Sequence, residues 1–298
     1  MTFAQVVQLA IPISLTLIVM ALGMRCTYDQ ATSLFRQPGL LIRSVLAMNV
    51  VLPIVAIALV AVTPLNLAVK VALIALALAP VPPILPNKQL KLVTHESYVY
   101  GLLVATSVLS IIIIPITMAV IARVFGREAH IAPMLVARTI LTSVLVPLAI
   151  GMLVRHLWPA FASRANPFVS AVGSVLLAVA LLLVLIAGWR AFASLIGDGT
   201  LVTFAAVALI GLAVGHLFGG PNPDHRTALA LACASRHPGV AVAIGGVLFP
   251  GEKLVAVAVL LYLLVGAVVS IPYHSWRKRV HERMLVTGAP TPRASPRP

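Results

Sequence analysis

The chain has 298 residues, of which 61% are hydrophobic and only 9% are charged, and its mean hydropathy is +1.08. So few polar residues cannot cover the surface of a water-soluble globule, which excludes that class of protein. The net charge of +14 comes from Lys and Arg residues scattered between apolar runs or gathered near the C-terminus, so we expect no nucleic-acid partner.

Apolar runs repeatedly reach the roughly 20 residues needed to cross a bilayer, and charged or Pro/Gly-rich stretches separate them. We therefore predict an all-α polytopic membrane protein with about nine transmembrane segments. In chain order the segments cover residues 5–24, 40–62, 65–96 (broken), 98–122, 134–156, 167–188, 201–218, 227–249 (broken) and 254–273. The transporter domain is predicted over 1–273, with halves 1–125 and 131–273, and residues 274–298 read as a basic, Pro-rich, disordered tail.

The distribution of basic residues predicts the orientation in the membrane. When successive loops are assigned alternately to the two faces, most of the 21 Lys and Arg residues fall on one side. The positive-inside rule makes that side cytoplasmic, so we expect a cytoplasmic C-terminus and an external N-terminus in a bacterial inner (plasma) membrane. The two cysteines, Cys26 and Cys233, have no metal-ligand spacing and are predicted to be free thiols.

Two segments are interrupted at corresponding positions, each being the penultimate segment of its half. Pro80, Pro82, Pro83 and Pro86 break the first, and the sequence ASRHPG at 234–239 breaks the second. Paired breaks are typical of inverted-repeat transporters whose site lies between the broken helices, with an additional span before residue 5 as the missing partner. The alternative is that the prolines merely kink their helices. Proline lacks an N–H, so either break frees carbonyl groups that need a partner.

Arg236 is the favoured contact for substrate. It lies about nine residues past the start of its segment, or roughly 14 Å deep at ~1.5 Å per residue. A cation there costs at least about 2.5 kcal/mol, so it should face a cavity, a counter-charge or freed carbonyls. All seven acidic residues fall in loops or at segment ends, which favours an anionic substrate. The alternative is that Arg236 bonds the carbonyls of the opposite break and never meets a ligand.

Other polar residues near the breaks complete the predicted site. His237 could carry protons, or it could stay neutral and bond to the backbone. The hydroxyl and amide side chains could line a cavity or bond within their own or neighbouring helices. The predicted substrate-binding residues are Arg236, His237, Ser235, Asn87, Pro86, Asn49, Thr106 and Ser110.

The stretch ALGMRCTYDQATSLFRQPGLLIRSVLAMNVVLPIVAIAL resembles the helix, cytoplasmic loop and helix of the bile acid:sodium symporter family. Pro80, Pro115 and Pro147 with Gly151 fall where members of that family show such residues, and the likeness covers most of the chain. The resemblance implies a core domain in which the third and eighth segments cross at their breaks, beside a panel domain made of the first, fifth and sixth. Substrate would bind between them, and alternating access would move one against the other. Auxin-efflux and arsenite carriers share this plan, so the fold does not fix the substrate.

The sequence departs from this family where its members bind sodium. They use a carboxylate and amides in the second break, and Asn, Ser and Thr near the first. Here Arg236 stands in the second break, Pro86 stands roughly at the asparagine, and Val108 and Ile111 fall roughly at the hydroxyls. Asn49 is one position from a glutamine of the relatives. Since sodium needs clustered oxygens, we expect Arg236 to hold the electrostatic place of sodium permanently, and we expect no cofactor.

These observations predict a secondary transporter that moves a small organic anion by alternating access without the usual sodium coupling. One alternative is a proton-coupled or uncoupled exporter that uses His237. Another is a transporter-like membrane sensor whose basic tail binds a partner. An enzyme is not expected, because no buried Ser/His/Asp set, carboxylate pair or His/Cys metal cluster can be assembled from the sequence.

Overall fold

The computed structural model describes residues 3–82, 85–90, 92–93, 96–124, 133–249, 251–252 and 254–287. Within these ranges the chain forms helices and no β-strand, as predicted. The helices are α1 Phe3–Gly23, α2 Tyr28–Thr32, α3 Pro38–Val62, α4 Leu67–Leu78, α5 Leu85–Gln89, α6 Ser97–Val124, α7 Met134–Leu157, α8 Pro159–Ala187, α9 Trp189–Leu195, α10 Thr200–Phe218, α11 Pro223–Ala234, α12 Pro238–Leu248 and α13 Leu254–Thr287.

The apolar helices are suited to lipid rather than water. Seven spans of the described residues are long and apolar enough to cross a membrane, α11 and α12 forming one interrupted span, and α1 and α4 contribute shorter apolar helices. Their outward side chains are apolar: Ile54 and Ile112 are each 61% exposed, and Val202 is 73% exposed. A polytopic membrane protein is therefore confirmed. The count of nine segments stays a prediction.

The helices pack in two groups that meet along α7. In the first group, α1 lies against α7 and α8. In the second, α4 packs against α12 and α13, while α10 packs against α3, α11 and α13. We call α1, α7 and α8 the panel group, and α3 to α6 with α10 to α13 the core group. The panel group consists of the three segments that the family resemblance implies for a panel domain.

Close backbone contact joins α1 to α7 within the panel group. A Cβ atom added to Gly151 would lie 2.1 Å from the carbonyl oxygen of Met20, and one added to Gly23 would lie 2.3 Å from that of Leu148. Neither position has room for a larger residue. Small residues at such contacts let helices in membranes approach closely, which supports van der Waals packing where no hydrophobic effect operates.

Two predicted segment boundaries were wrong. The sixth segment begins at Pro159 instead of residue 167, because a proline at the first helical position needs no N–H, and Pro167 lies inside the helix. The first broken segment resumes over Leu85–Gln89 instead of 89–96. Pro86 is therefore not part of the break but lies in the first turn of α5, where its missing N–H removes no helical bond.

The prediction of a disordered tail was wrong for residues 274–287, which continue α13 without interruption. Arg277 fastens this extension to the core group: Nε donates to the hydroxyl of Thr227 at 2.7 Å, and Nη2 donates to the carbonyl of Pro223 at 3.0 Å. Three parts of the predicted plan lie outside the described residues, namely Pro83 of the first break, residues 125–132 between the halves, and residues 288–298.

Candidate functional site

The first break follows from its prolines. Helix α4 ends at Leu78, and Ala79 has extended backbone angles (φ −68°, ψ 148°). In a helix the carbonyl of Ala79 would accept from the N–H three or four residues later, but both positions, Pro82 and Pro83, lack one. The carbonyl of Ala79 is therefore free to accept a hydrogen bond from elsewhere.

The second break is set by Pro238. The residue before a proline is driven out of the helical region, and His237 accordingly has φ −70° and ψ 108°. Ser235 is also extended, with φ −120° and ψ 136°. Helix α12 then begins at Pro238, and the Nδ1 atom of His237 caps it by accepting from the N–H of Val240 at 3.4 Å.

The two breaks lie against each other and are joined by hydrogen bonds. The backbone N–H of His237 donates to the carbonyl of Pro80 at 2.9 Å, and Nη1 of Arg236 donates to the carbonyl of Ala79 at 3.1 Å. We call residues 79–82 and 235–237 the crossing. The hydroxyl of Tyr262 on α13 supports it by donating to the carbonyl of Ala234 at 3.1 Å.

Arg236 also bonds to a third helix. A π turn over Ala47–Val51 interrupts α3, and the N–H of Leu52 donates to the carbonyl of Ala47, five residues back. The next bond of this turn would run from residue 53 to the carbonyl of Met48, but residue 53 is a proline without an N–H. Nη2 of Arg236 donates to that carbonyl instead, at 2.9 Å.

The free-energy cost of burying Arg236 is similar in size to the stabilisation that its hydrogen bonds provide. The residue is only 2% exposed. Placing an arginine at the centre of a span costs about 2.5–3.5 kcal/mol on insertion scales, whereas a hydrogen bond involving a charged group contributes about 1.5–3 kcal/mol. Two such bonds, to Ala79 and Met48, are enough to offset the cost. The alternative in which Arg236 bonds the carbonyls of the opposite break agrees with its bond to Ala79, whereas its bond to Met48 was not predicted.

His237 links the crossing to the panel group. Its Nε2 lies 3.3 Å from the hydroxyl oxygen of Ser143, which belongs to a second π turn, Leu141–Leu145, in α7. Because Nδ1 accepts from Val240, a neutral ring carries its proton on Nε2 and donates to Ser143. The hydroxyl of Ser143 in turn donates to the carbonyl of Thr139 at 2.6 Å. This chain of bonds satisfies the neutral imidazole on both nitrogens.

The remaining predicted site residues lie in the second break, in the π turn of α3, and on helices α5 and α6. Ser235 is half-buried within the second break, and Asn49 is half-buried in the π turn of α3, next to Met48. Thr106 and Ser110 are buried in α6, where their hydroxyls donate to the carbonyls of Leu102 and Thr106. On α5, Pro86 is buried and Asn87 is half-buried.

Four contributors to this region were not predicted: the carbonyl of Met48, Ser143, Tyr262 and Gln89. Gln89 is 1% exposed and donates from Nε2 to the carbonyl of Ala228 on α11, at 2.6 Å. Pro53 and Pro147, each placed two residues after a π turn, were the available signal for the first two. The sequence around Tyr262 and Gln89 carries no comparable signal, because their partners are backbone carbonyls of distant helices.

Two interrupted helices that meet at their breaks are typical of membrane transporters in which a site forms between two halves of the protein. The sequence model of the Sodium Bile acid symporter family matches residues 12–194, which is more than half of the chain. The chain belongs to this family and is an integral membrane protein of the secondary transporter kind. No curated protein matches the sequence.

Proposed function

We propose that the protein moves a small organic anion across the membrane by alternating access, and that Arg236 supplies permanently the positive charge that a bound sodium ion would otherwise bring. Family membership supports secondary transport in general. The anion and the missing sodium coupling rest on Arg236 and on the residues around it.

The hydrogen bonds of Arg236 carry this proposal. Carbonyl oxygens such as those of Met48 and Ala79 are the ligands that a hard cation prefers, and here both accept from one guanidinium. Among the described residues no carboxylate forms an ion pair with Arg236. The carbonyl groups carry no net charge, so among the described residues nothing neutralises the guanidinium, and in a medium of low dielectric constant its positive charge favours an anion nearby.

A hydrogen bond between the two helix groups supports the alternating-access part of this proposal. His237 belongs to the crossing, Ser143 belongs to the panel group, and a single hydrogen bond of 3.3 Å connects them. A movement of the panel group against the core group would break this bond without disturbing the cap that His237 provides to α12. We therefore assign His237 a structural role, and the proton-carrying alternative receives less support from its geometry.

The proposal is tested with the purified chain and a panel of organic anions, each in sodium and in choline salt. A ligand that binds the folded state raises its stability by about 2.7 kcal/mol at a concentration of 100 Kd. We expect at least one anion to raise the melting temperature equally in both salts. Stabilisation that requires sodium would contradict the role given to Arg236, and a panel without any stabilising anion would contradict the substrate class.

A further inference from the structure

A polar cavity of about 490 Å³ opens where the C-terminal end of α1 meets the turn between α7 and α8. This volume lies within the range of small-molecule sites. The polar residues that line it are Arg25, Gln30, Glu96, Arg155, Ser163 and Asn166. They come from both helix groups, because Glu96 precedes α6 of the core group whereas Arg155, Ser163 and Asn166 lie on α7 and α8 of the panel group.

Among the described residues, the charged groups of this cavity are two arginines and one glutamate. Nη2 of Arg25 lies 3.3 Å from Oε1 of Glu96, and the two side chains are 48% and 31% exposed. Nη1 of Arg155 donates to the backbone carbonyl of Arg25, and both arginines line the cavity. The lining therefore carries a net positive charge, and it retains N–H donors of Arg155 beyond the one used.

The neutral groups add donors of the same kind. Oε1 of Gln30 accepts from the N–H of Thr27, so the part of this side chain left for a ligand is the amide NH₂. Nδ2 of Asn166 donates one N–H to the carbonyl of Ala21 and retains the other. A cavity with two guanidiniums and two amides but a single carboxylate suits an anion and repels a cation.

We propose that this cavity binds the carboxylate of a small organic monoanion, and that the ligand takes the place of Glu96 at Arg25. The proposal rests on the proposed function and adds to it a second anion site, distant in sequence from the crossing. An exposed ion pair adds little stability, so replacing Glu96 with a ligand carboxylate at Arg25 costs little free energy. The exchange also releases the bond between Arg25, at the end of a panel helix, and Glu96 in the core group.

The test uses calorimetric titration of the full chain with benzoate as a monocarboxylate and with inorganic phosphate as a second anion. We expect Arg155→Gln to weaken benzoate binding at least tenfold. Glu96→Gln should tighten it several-fold, since Arg25 no longer has a competing partner. Arg36 and Asp29 form a similar exposed pair at 2.9 Å outside the cavity, so Arg36→Gln and Asp29→Asn serve as matched controls and should leave the affinity unchanged.

Each outcome distinguishes this site from the proposed function. If benzoate binds the wild type but Arg155→Gln and Glu96→Gln behave as the controls do, the cavity is not the site, while anion transport through the crossing stands. Binding of phosphate alone would overturn the carboxylate assignment. If benzoate does not bind, the carboxylate site is overturned, and the proposed function falls as well only when every other anion of the panel also fails to stabilise the protein.

Discussion

Arg236 replaces missing backbone donors with a side chain. Its two carbonyl acceptors belong to residues whose helical partners are prolines, Pro53 for Met48 and Pro82 or Pro83 for Ala79. A lysine could not reproduce this arrangement as well, because its ammonium is a point charge whereas the guanidinium presents a planar fork of five donors. One cation thus holds three helical segments together at the place where their backbones leave groups unbonded.

Replacing Arg236 with Glu should convert the crossing into a sodium-dependent structure. The carboxylate would leave the carbonyls of Met48 and Ala79 without donors, and the three groups together would form the oxygen cluster that a sodium ion needs. We expect the melting temperature of Arg236→Glu to be low in choline chloride and to rise in sodium chloride. Arg236→Gln is the control, because its amide can donate to a carbonyl and should show no preference for sodium. Equal stability of Arg236→Glu in the two salts would contradict this account.

At the scale of single residues, the sequence predicted the unusual positions better than their partners. A bond between Arg236 and a freed carbonyl was one of the alternatives that its position allowed, and the loss of N–H groups at the prolines followed from the sequence alone. The acceptor on Met48 could not be predicted, because it requires both a π turn in α3 and the approach of α3 to the crossing. Ser143 was missed for the same reason, since it is 94 positions from His237 in the chain.

At the scale of elements, the close contact between α1 and α7 depends on Gly23 and Gly151, and substitution of a glycine tests how closely the two helices pack. Gly151→Ala places a Cβ 2.1 Å from the carbonyl oxygen of Met20, so the helices must separate, at a cost of about 1–3 kcal/mol for overpacking. Gly246, an exposed glycine in α12, has nothing within 4 Å of the same position. There, Gly246→Ala should stabilise the helix by up to about 1 kcal/mol. Thermal unfolding of both variants checks the opposite signs, and a stable Gly151→Ala would show that the helices are less closely packed.

Proline is involved in the wrong boundaries of both the sixth segment and the first broken segment. Proline starts helices α8 and α12 at their first position, yet it breaks the chain after α4. The same residue type therefore signals a start, an interruption or a mere kink according to its neighbours. Starting the sixth segment at Pro167 placed the start of α8 too late, and counting Pro86 as part of the break placed the second part of the first broken segment too far along the chain.

For the whole molecule, the final helix connects the C-terminal region to the core group through one buried cation. Arg277 is 6% exposed, and its bonds reach Thr227 and Pro223 at the start of α11. Arg277→Gln removes both charged hydrogen bonds, and the loss of each should lower the free energy of unfolding by about 1.5–3 kcal/mol. Arg279→Gln, an exposed change two positions along the helix, should alter it by less than about 0.5 kcal/mol. Chemical denaturation of the two variants measures both free energies of unfolding. Equal values would contradict the claim that Arg277 holds α13 to the core group.

Composition and hydropathy predicted the all-α membrane fold because the demand of the bilayer for internally bonded backbone leaves few alternatives. The helical state of residues 274–287 escaped prediction because local composition, rich in charge and followed by prolines, resembles that of disordered tails. Arg277 instead holds this segment to the core group by a tertiary contact with residues about 50 positions earlier. Such a contact cannot be predicted from local sequence composition.

Helix α13 has 34 residues, or about 51 Å at 1.5 Å per residue, whereas the hydrocarbon layer of a bilayer is about 30 Å thick. It lies against α4 and α12, one arm from each of the two broken helices. Because α13 is longer than the hydrocarbon layer is thick, its far end lies in the aqueous phase. A slight change of tilt near those arms therefore displaces that end by a larger distance. Rearrangement inside the bilayer can therefore be followed from outside it, by the position of a spectroscopic label close to residue 283.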